Sequence, residues 1–170
     1  MKLVFPAPEH KQAALEYRKE YLEYGEMTIN GSSGIVEAES YEEWLAGLHI
    51  KMNQDDGVRV PATVYFSICD GHIIGTIQIR HKLNDFLTKY GGHIGYAVRP
   101  SRRCRGYATR MLALALDKCH EMGIGMVLVT CDKDNLASAK TILRCGGVLE
   151  DEIAREGGDI VQRYWIDTTT

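Results

Sequence analysis

A basic turn that contains one glycine is the part of this sequence best suited to chemistry. Five arginines fall within twelve residues, with no acidic residue among them: Arg99, Arg102, Arg103, Arg105 and Arg110. The apolar run from His93 to Val98 that precedes the turn predicts a strand. Pro100 ends that strand, because proline has no N–H to donate to a β-ladder.

A helix is predicted directly after the turn. From Ala108 onward the apolar residues recur with helical spacing, at Met111, Leu112, Ala115, Leu116 and Cys119. The start of a helix offers unpaired backbone N–H groups and the positive end of the helix dipole, worth up to about 2 kcal/mol toward an anion. Gly106 leaves out a side chain where an anion would approach. The order strand, glycine turn, helix therefore predicts a phosphate-binding turn; the alternative is a solvated, arginine-rich connection.

The turn lacks the glycine patterns of dinucleotide-binding and P-loop proteins. It reads instead Arg103-x-x-Gly106-x-Ala108. This pattern resembles the acetyl-CoA signature of the GNAT superfamily of N-acetyltransferases, Arg/Gln-x-x-Gly-x-Gly/Ala. Downstream, Asn135 and Ser138 match the Asn-x-x-Ala/Ser step that opens the helix after the fifth strand in that superfamily. The run from Gly91 to Tyr96 is similar to that of a bacterial subgroup of predicted acetyltransferases.

Length and composition indicate one soluble domain spanning residues 1–170. Apolar residues make up 45% of the chain and charged residues 25%, which is ordinary for a globular protein. The net charge of −3 argues against a nucleic-acid partner. An odd number of cysteines without a Cys-x-x-Cys pair argues against a disulfide framework or a metal site. With neither a signal peptide nor an apolar stretch of membrane-spanning length in the sequence, we expect a cytoplasmic protein.

Periodicity predicts strands and helices in the order βαα-βββ-αβ-α-ββ. The predicted strands are Leu3–Phe5, Thr63–Cys69, His72–Arg80, His93–Val98, Met126–Cys131, Val148–Ile153 and Ile160–Ile166. The predicted helices are Glu9–Tyr24, Ser40–Met52, Ala108–Met122 and Leu136–Cys145. The resemblance implies the corresponding α/β (α+β) fold: a mixed, mostly antiparallel sheet of six to seven strands, splayed between strands 4 and 5 and flanked by about four helices.

The resemblance also implies where acetyl-CoA, the expected co-substrate, would bind. Its diphosphate would rest on the backbone N–H groups of the turn, and its pantetheine arm would fill the gap between the splayed strands. The N–H of Val98 or of Tyr96 would then face the thioester carbonyl. The implied cofactor-binding residues are Tyr96, Ala97, Val98, Arg103, Cys104, Arg105, Gly106, Tyr107, Ala108, Thr109, Asn135 and Ser138.

The catalytic acid and base are less clearly marked. In many relatives a glutamate at the start of the fourth strand is the base, and His93 stands at that position here. The ordinary pKa of histidine suits the role, although a structural histidine is the alternative. The alternative bases, each of which would act through a water molecule, are Glu26, Glu37 and Glu39. Relatives often use a tyrosine as the general acid, seven residues after the asparagine of their signature. This chain has Ile142 at that position.

We therefore predict an acetyl-CoA-dependent N-acetyltransferase that acts by direct attack of a primary amine in a ternary complex, without a metal. Residues 1–60 carry six Lys or Arg and eleven Asp or Glu, which suggests a cationic acceptor. Because the usual tyrosine is missing, the alternative is a non-catalytic acetyl-CoA or CoA sensor. The sequence does not fix the oligomeric state, although the resemblance makes a homodimer possible, since the terminal strands of such folds often pair between subunits.

Overall fold

The computed structural model describes all 170 residues and contains one seven-stranded sheet with four α-helices. The strands are β1 (Lys2–Val4), β2 (Ala62–Cys69), β3 (His72–Arg80), β4 (Ile94–Val98), β5 (Met126–Asp132), β6 (Val148–Ala154) and β7 (Ile160–Asp167). The helices are α1 (Lys11–Glu23), α2 (Tyr41–Lys51), α3 (Tyr107–Glu121) and α4 (Leu136–Arg144). Short 3₁₀ or π turns occupy Pro8–His10, Leu87–Gly91 and Pro100–Arg102. The predicted order of elements is confirmed.

Local sequence signals explain several of the boundaries. Asp70 and Gly71 join β2 to β3 with φ angles of 51° and 76°, both positive as a tight two-residue hairpin turn requires. Ser40 caps α2, because its hydroxyl accepts a hydrogen bond from the backbone N–H of Glu43 at 3.1 Å. Turn and cap chemistry within a few residues thus accounts for these boundaries.

The sheet has the strand order β1-β2-β3-β4-β5-β7-β6 and is antiparallel except between β4 and β5. Those two parallel strands are paired at only one position, Ile94 with Val129. Neighbouring pairs are far more extensive, since β3 and β4 are in register over five residue pairs. The sheet is therefore open along the carboxyl-terminal half of β4, which confirms the predicted splay.

The two faces of the sheet carry separate apolar cores. Helices α3 and α4 cover one face, where 14 buried residues, including Ile77, Leu112 and Val129, form a single cluster. Helices α1 and α2 cover the other face over a cluster of 11, including Trp44 and Phe66. None of the helices combines the length and the apolar character that crossing a membrane requires.

Candidate functional site

A cleft of about 580 Å³ opens where β4 ends and α3 begins. Its walls come from the end of α1 and the following loop, from β4, from the basic turn and from α4. The lining residues are Tyr21, Glu26, Thr28, Asn30, Tyr96, Ala97, Val98, Arg102, Arg103, Cys104, Gly106, Tyr107, Ala108, Thr109, Asn135, Ala137, Ser138, Lys140, Thr141 and Arg144. The cleft therefore brings together eleven of the twelve residues predicted to bind the cofactor. Arg105 is the exception, because its side chain is exposed and lies outside the cleft.

Six consecutive backbone N–H groups, from Cys104 to Thr109, donate to no acceptor in the protein. The next residue, Arg110, returns to the helical pattern by donating to the carbonyl of Gly106 at 3.3 Å. Free donors are expected at the first turn of a helix, but here they extend three residues ahead of it. The groups lie at the positive end of the α3 dipole, so the turn is arranged to receive an anion.

The turn depends on two left-handed residues. Cys104 has φ 59° and Gly106 has φ 76°. Glycine is favoured at position 106, because residues with a side chain adopt such an angle far less readily, and Cys104 is one of three in this chain that do. A Cβ added there would meet no protein atom within 4 Å, so the position faces open space rather than a neighbouring element. The turn from Cys104 to Thr109 thus forms a cradle that is open on the side from which a ligand would approach.

The exposed edge of β4 adds further backbone donors to the cleft. In the β3–β4 ladder, Arg99 N–H bonds the carbonyl of Ile74 at 2.7 Å and Arg80 N–H bonds the carbonyl of His93 at 2.8 Å. Because alternate residues of a strand face opposite sides, Tyr96 and Val98 must direct their N–H and C=O groups away from β3, toward the gap. One of these groups, the Val98 carbonyl, accepts a bond from Arg103 Nε at 3.0 Å.

Tyr96 and α4 meet at the bottom of the gap. The Tyr96 hydroxyl lies 2.7 Å from the hydroxyl of Ser138. Burial is the main cause that raises the pKa of Tyr96, to about 12, so the phenol stays protonated at neutral pH. Asn135 caps α4 by accepting the Ser138 N–H at 3.1 Å. Asn135 is therefore the N-cap of α4, and it also lines the cleft.

Arg103, predicted to contact phosphate, is engaged within the protein. Its guanidinium makes a two-point ion pair with Glu26, at 2.6 and 2.7 Å, and packs over the rings of Tyr21 and Tyr24 at 5.6 Å. The bond from Arg103 is the main cause that lowers the pKa of Glu26. Arg103 therefore fixes the wall of the cleft, and its side chain has few donors left for a ligand.

Other basic side chains are better placed for the role predicted for Arg103. Arg102 from the turn and Lys140 and Arg144 from α4 line the cleft and belong to none of the ion pairs. Sequence reasoning missed the two α4 residues. Their spacing offered a signal, since Ala137, Lys140 and Arg144 recur at helical intervals on the face of α4 that follows the Asn135 cap.

His93 lies outside the cleft and is buried, with 6% of its surface exposed. Its Nδ1 accepts the backbone N–H of Leu128 at 3.0 Å, so the ring of the neutral side chain carries its proton on Nε2. Burial, followed by the charge of Arg80, lowers the pKa of His93 to about 4. Neither nitrogen offers a free lone pair, and the geometry is that of a clamp between the start of β4 and β5.

The tyrosines of the first 41 residues that lie near the cleft or in α1 and α2 are divided between core, surface and cleft. Tyr17 and Tyr41 are buried, Tyr24 is 66% exposed, and Tyr21 reaches the cleft. The Tyr17 hydroxyl contacts those of Tyr21 and Thr76 at 3.3 Å, and Thr76 donates to the carbonyl of Asn30 at 3.1 Å. This chain of hydroxyl groups fixes the loop that forms one side of the cleft.

Comparison with known proteins identifies the family. The acetyltransferase (GNAT) domain matches residues 3–148. No curated protein matches the sequence. Many solved structures match the fold, among them the microcin C7 self-immunity acetyltransferase MccE in complex with acetyl-CoA and AMP. It has 17% identity and a TM-score of 0.67, with 97% of this chain and 91% of that chain covered.

Two further structures share the fold over nearly their whole length. The ribosomal L7/L12 α-N-protein acetyltransferase RimL, in complex with coenzyme A, has 18% identity and a TM-score of 0.70, covering 97% of this chain and 92% of its own. A mutant form of the spermidine N-acetyltransferase SpeG from Vibrio cholerae has 15% identity and a TM-score of 0.67, covering 99% and 96%. At these identities the likeness shows a common fold.

The match of the domain over most of the chain agrees with the free amides of the turn and the opening beside β4, both of which the acetyl-CoA signature implied. The protein therefore belongs to the GNAT family of acetyltransferases.

Proposed function

We propose that this protein transfers an acetyl group from acetyl-CoA to a primary amine by direct attack within a ternary complex. The row of unpaired N–H groups from Cys104 to Thr109 carries the proposal, because it lines the cleft at the start of α3. These amides would hold the diphosphate, with charge supplied by Arg102, Lys140 and Arg144. Because the diphosphate would contact both the turn and α4, its position would fix the direction of the pantetheine arm.

The gap between β4 and β5 is the place for that arm. The N–H groups of Tyr96 and Val98 face the gap, as the ladder to β3 requires. A thioester lying along β4 would present its carbonyl oxygen to one of them, and the donor would stabilise the oxyanion that forms during attack. Holding both reactants in this geometry supplies most of the acceleration, up to roughly 7–11 kcal/mol when alignment is good.

In the reaction, the lone pair of the neutral amine attacks the thioester carbonyl carbon and a C–N bond forms. The tetrahedral intermediate then expels the CoA thiolate as the C–S bond breaks. The nitrogen loses one proton and the thiolate gains one, so the products are an N-acetylated amine and free CoA thiol. The reaction therefore requires one proton to reach sulfur and another to leave nitrogen.

Tyr96 is our candidate for the proton donor to sulfur. The usual tyrosine position on α4 is Ile142, which is fully buried in the core and has no proton to give. The Tyr96 phenol enters the same cleft from β4 and meets α4 at Ser138, one helical turn before Ile142. It is protonated at neutral pH, and the Ser138 hydroxyl can return a proton to it.

The proton acceptor has weaker support. His93 remains the base predicted from sequence, but its hydrogen bond to Leu128 and its burial favour a structural role. Glu26 lines the cleft, yet its pairing with Arg103 makes it a poor base. We therefore propose that the amine enters in its neutral form and releases its proton to water. Turnover would then rise with pH until the acceptor amine is fully deprotonated.

The acceptor class is narrowed by charge and by relatives. SpeG is a spermidine acetyltransferase and RimL acts on a protein α-amine, so both amine types are candidates here. A cationic acceptor gains less support than the sequence suggested. Two acids of the first third are already paired with the basic turn, Glu20 with Arg99 at 2.6 Å and Glu26 with Arg103.

The test measures release of CoA thiol with a panel that contains spermidine, a neutral small amine and a short peptide with a free α-amine. We expect thiol release with at least one amine, an acetylated product by mass spectrometry, and CoA binding by calorimetry. Tight CoA binding without thiol release across the panel would instead support the acetyl-CoA sensor. Absence of CoA binding would contradict both.

A further inference from the structure

A second cavity, of about 410 Å³, lies beneath the carboxyl-terminal end of α2, between the start of β2 and the end of β3. Its lining contains three charged side chains, Lys51, Arg59 and Arg80, and all three are cations. None of them belongs to an ion pair within the protein. Three cations in the lining of one cavity, without an acid among the lining residues, give it a positive potential that favours an anion.

Arg80 is the most deeply set of the three cations. Its Nη1 donates to the carbonyls of Gly91 and Gly92 at 3.0 and 3.1 Å, which fixes the guanidinium in place. Nε and Nη2 have no acceptor in the protein, and neither nitrogen is sealed from solvent. Two donors of a planar guanidinium therefore remain available, the arrangement that binds carboxylate or phosphate at two points.

Lys51 and Arg59 complete the positive lining. Lys51 Nζ is held by the carbonyl and hydroxyl of Ser33 at 3.1 and 2.8 Å. Burial and the nearby charge of Arg59 both lower its pKa, which places the two cations close to each other. The Arg59 side chain makes no hydrogen bond within the protein. Two carboxylates act on these cations from outside the lining, Glu37 on Lys51 and Asp56 on Arg59.

The remaining lining is apolar, and part of it is exposed. Val58 is 80% exposed and Phe86 65% exposed, and both border the cavity together with Val60, Ala62 and Leu87. Exposed large apolar side chains beside a few convergent polar groups are characteristic of sites for small organic molecules. The volume is in the range for one such molecule and too small for a folded partner.

We propose that this cavity binds a small organic anion, a carboxylate or phosphate attached to an apolar or aromatic group. The anionic group pairs with Arg80, Lys51 and Arg59, and the apolar body packs against Val58 and Phe86. The site is distinct from the acetyl-CoA cleft and does not rest on the proposed transfer reaction. The loop Asn30–Ser33 separates the two, since Asn30 lines the first cavity and Ser33 the second.

That loop is held firmly between the cavities. Gly31, with φ 72°, packs so closely on β4 that an added Cβ would lie 2.3 Å from the carbonyl oxygen of Gly95. Trp44 Nε1 donates to the carbonyl of Ser32 at 2.8 Å. The wall is thus fixed from the sheet and from α2, and the two cavities share no lining residue.

The test is a calorimetric titration of the full-length protein with benzoate and with phenyl phosphate, each repeated with saturating CoA. Benzyl alcohol supplies the same ring without charge, and acetate supplies the charge without the ring. We expect saturable binding of at least one aromatic anion, unaffected by CoA, with benzyl alcohol and acetate at least tenfold weaker. Competition by CoA would place the probe in the phosphate cradle and overturn the proposal, as would equal binding of benzyl alcohol.

Arg59 and Phe86 are exposed, so variants at these two positions should fold. Arg59→Glu should weaken binding of the anion at least tenfold, whereas Arg18→Glu, on α1 and outside both cavities, should leave it unchanged. Phe86→Ala should weaken the binding of benzoate about fivefold and leave the binding of acetate unchanged. Melting temperatures near that of the unmodified protein establish folding. Unchanged benzoate affinity in Arg59→Glu, or no saturable binding of either aromatic anion to the unmodified protein, would contradict the site.

Discussion

The two ends of strand β4 have opposite arrangements of polar groups. At its carboxyl end, six successive backbone N–H groups are left without a protein acceptor. At its amino end the main-chain groups are paired: His93 bonds Leu128 twice, through ring and backbone, and Arg80 Nη1 binds the carbonyls of Gly91 and Gly92. One end therefore leaves main-chain donors free for a ligand, whereas the main-chain groups at the other end hold the sheet together.

This difference explains why the structure supports a functional role for the turn from Cys104 to Thr109 more strongly than for His93. His93 has the side chain expected of a base, but its surroundings give it a structural task. The turn from Cys104 to Thr109 has ordinary side chains, yet its backbone geometry gives it the strongest case for function. The structural case for a ligand site at this turn thus rests more on unpaired main-chain groups than on reactive side chains.

The largest expected effect tests the open end directly. Gly106→Glu should weaken CoA binding at least 100-fold, because it introduces a negative charge and a side chain into the cradle. Isothermal titration calorimetry gives the affinity. Gly157→Glu is a matched control, since Gly157 also has a positive φ, of 107°, and faces open space in the β6–β7 turn. Equal CoA affinity in both variants would show that the cradle is misplaced.

Tyr96→Phe should lower kcat about 100-fold while CoA affinity changes less than threefold. The phenol proton is lost, and a general acid contributes roughly 10²–10⁴-fold to rate. The kcat deficit of the variant should be measured with acetyl-CoA and again with an acetyl thioester whose leaving thiol is more acidic. The deficit should shrink with that donor, because its thiolate needs less protonation. A deficit equal for both donors would assign Tyr96 a packing role.

The basic residues of α4 should have a smaller effect. The double variant Lys140→Gln/Arg144→Gln should weaken CoA binding about tenfold, which corresponds to about 1.4 kcal/mol, and reduce its dependence on salt. Arg105→Gln should change the affinity less than twofold, since Arg105 is exposed outside the cleft. If Arg105→Gln proves the more damaging change, the phosphates lie further along the turn than we propose.

His93→Asn should have the smallest effect on catalysis, with kcat within about threefold of the unmodified enzyme at pH 7.5. Its effect should appear in stability. The folded-state pKa of His93 is lowered to about 4 from 6.5, so the unfolded chain binds the proton more readily and stability falls as pH drops from about 6.5 to 4. The difference corresponds to about 3 kcal/mol.

Urea unfolding at pH 7 and pH 4.5 measures that contribution. The unmodified protein should lose more of its unfolding free energy than His93→Asn over this interval, because the variant lacks the titrating ring. A large loss of turnover in the variant, with stability and CoA binding preserved, would restore His93 as the catalytic base.

The sequence alone determined the order of the elements, several of their caps and turns, and the position of the glycine-containing turn before α3. These features rest on residues close together in the chain: Asp70 with Gly71 for the hairpin, Ser40 for the start of α2, and Gly106 for the start of α3. Local backbone preferences act over a few residues, so a pattern of a few residues is enough to predict them.

Tertiary structure alone decided which charges remain free. Glu20 and Glu26 belong to the acidic first third that suggested a cationic acceptor, but each pairs with an arginine more than seventy residues away, Arg99 and Arg103. Folding also buried His93, brought Lys140 and Arg144 of α4 into the cleft with the turn, and placed Arg80 and Lys51 in the lining of one cavity. Burial and ion pairing depend on contacts between distant segments, and no spacing along the chain records which partner a charged side chain will meet.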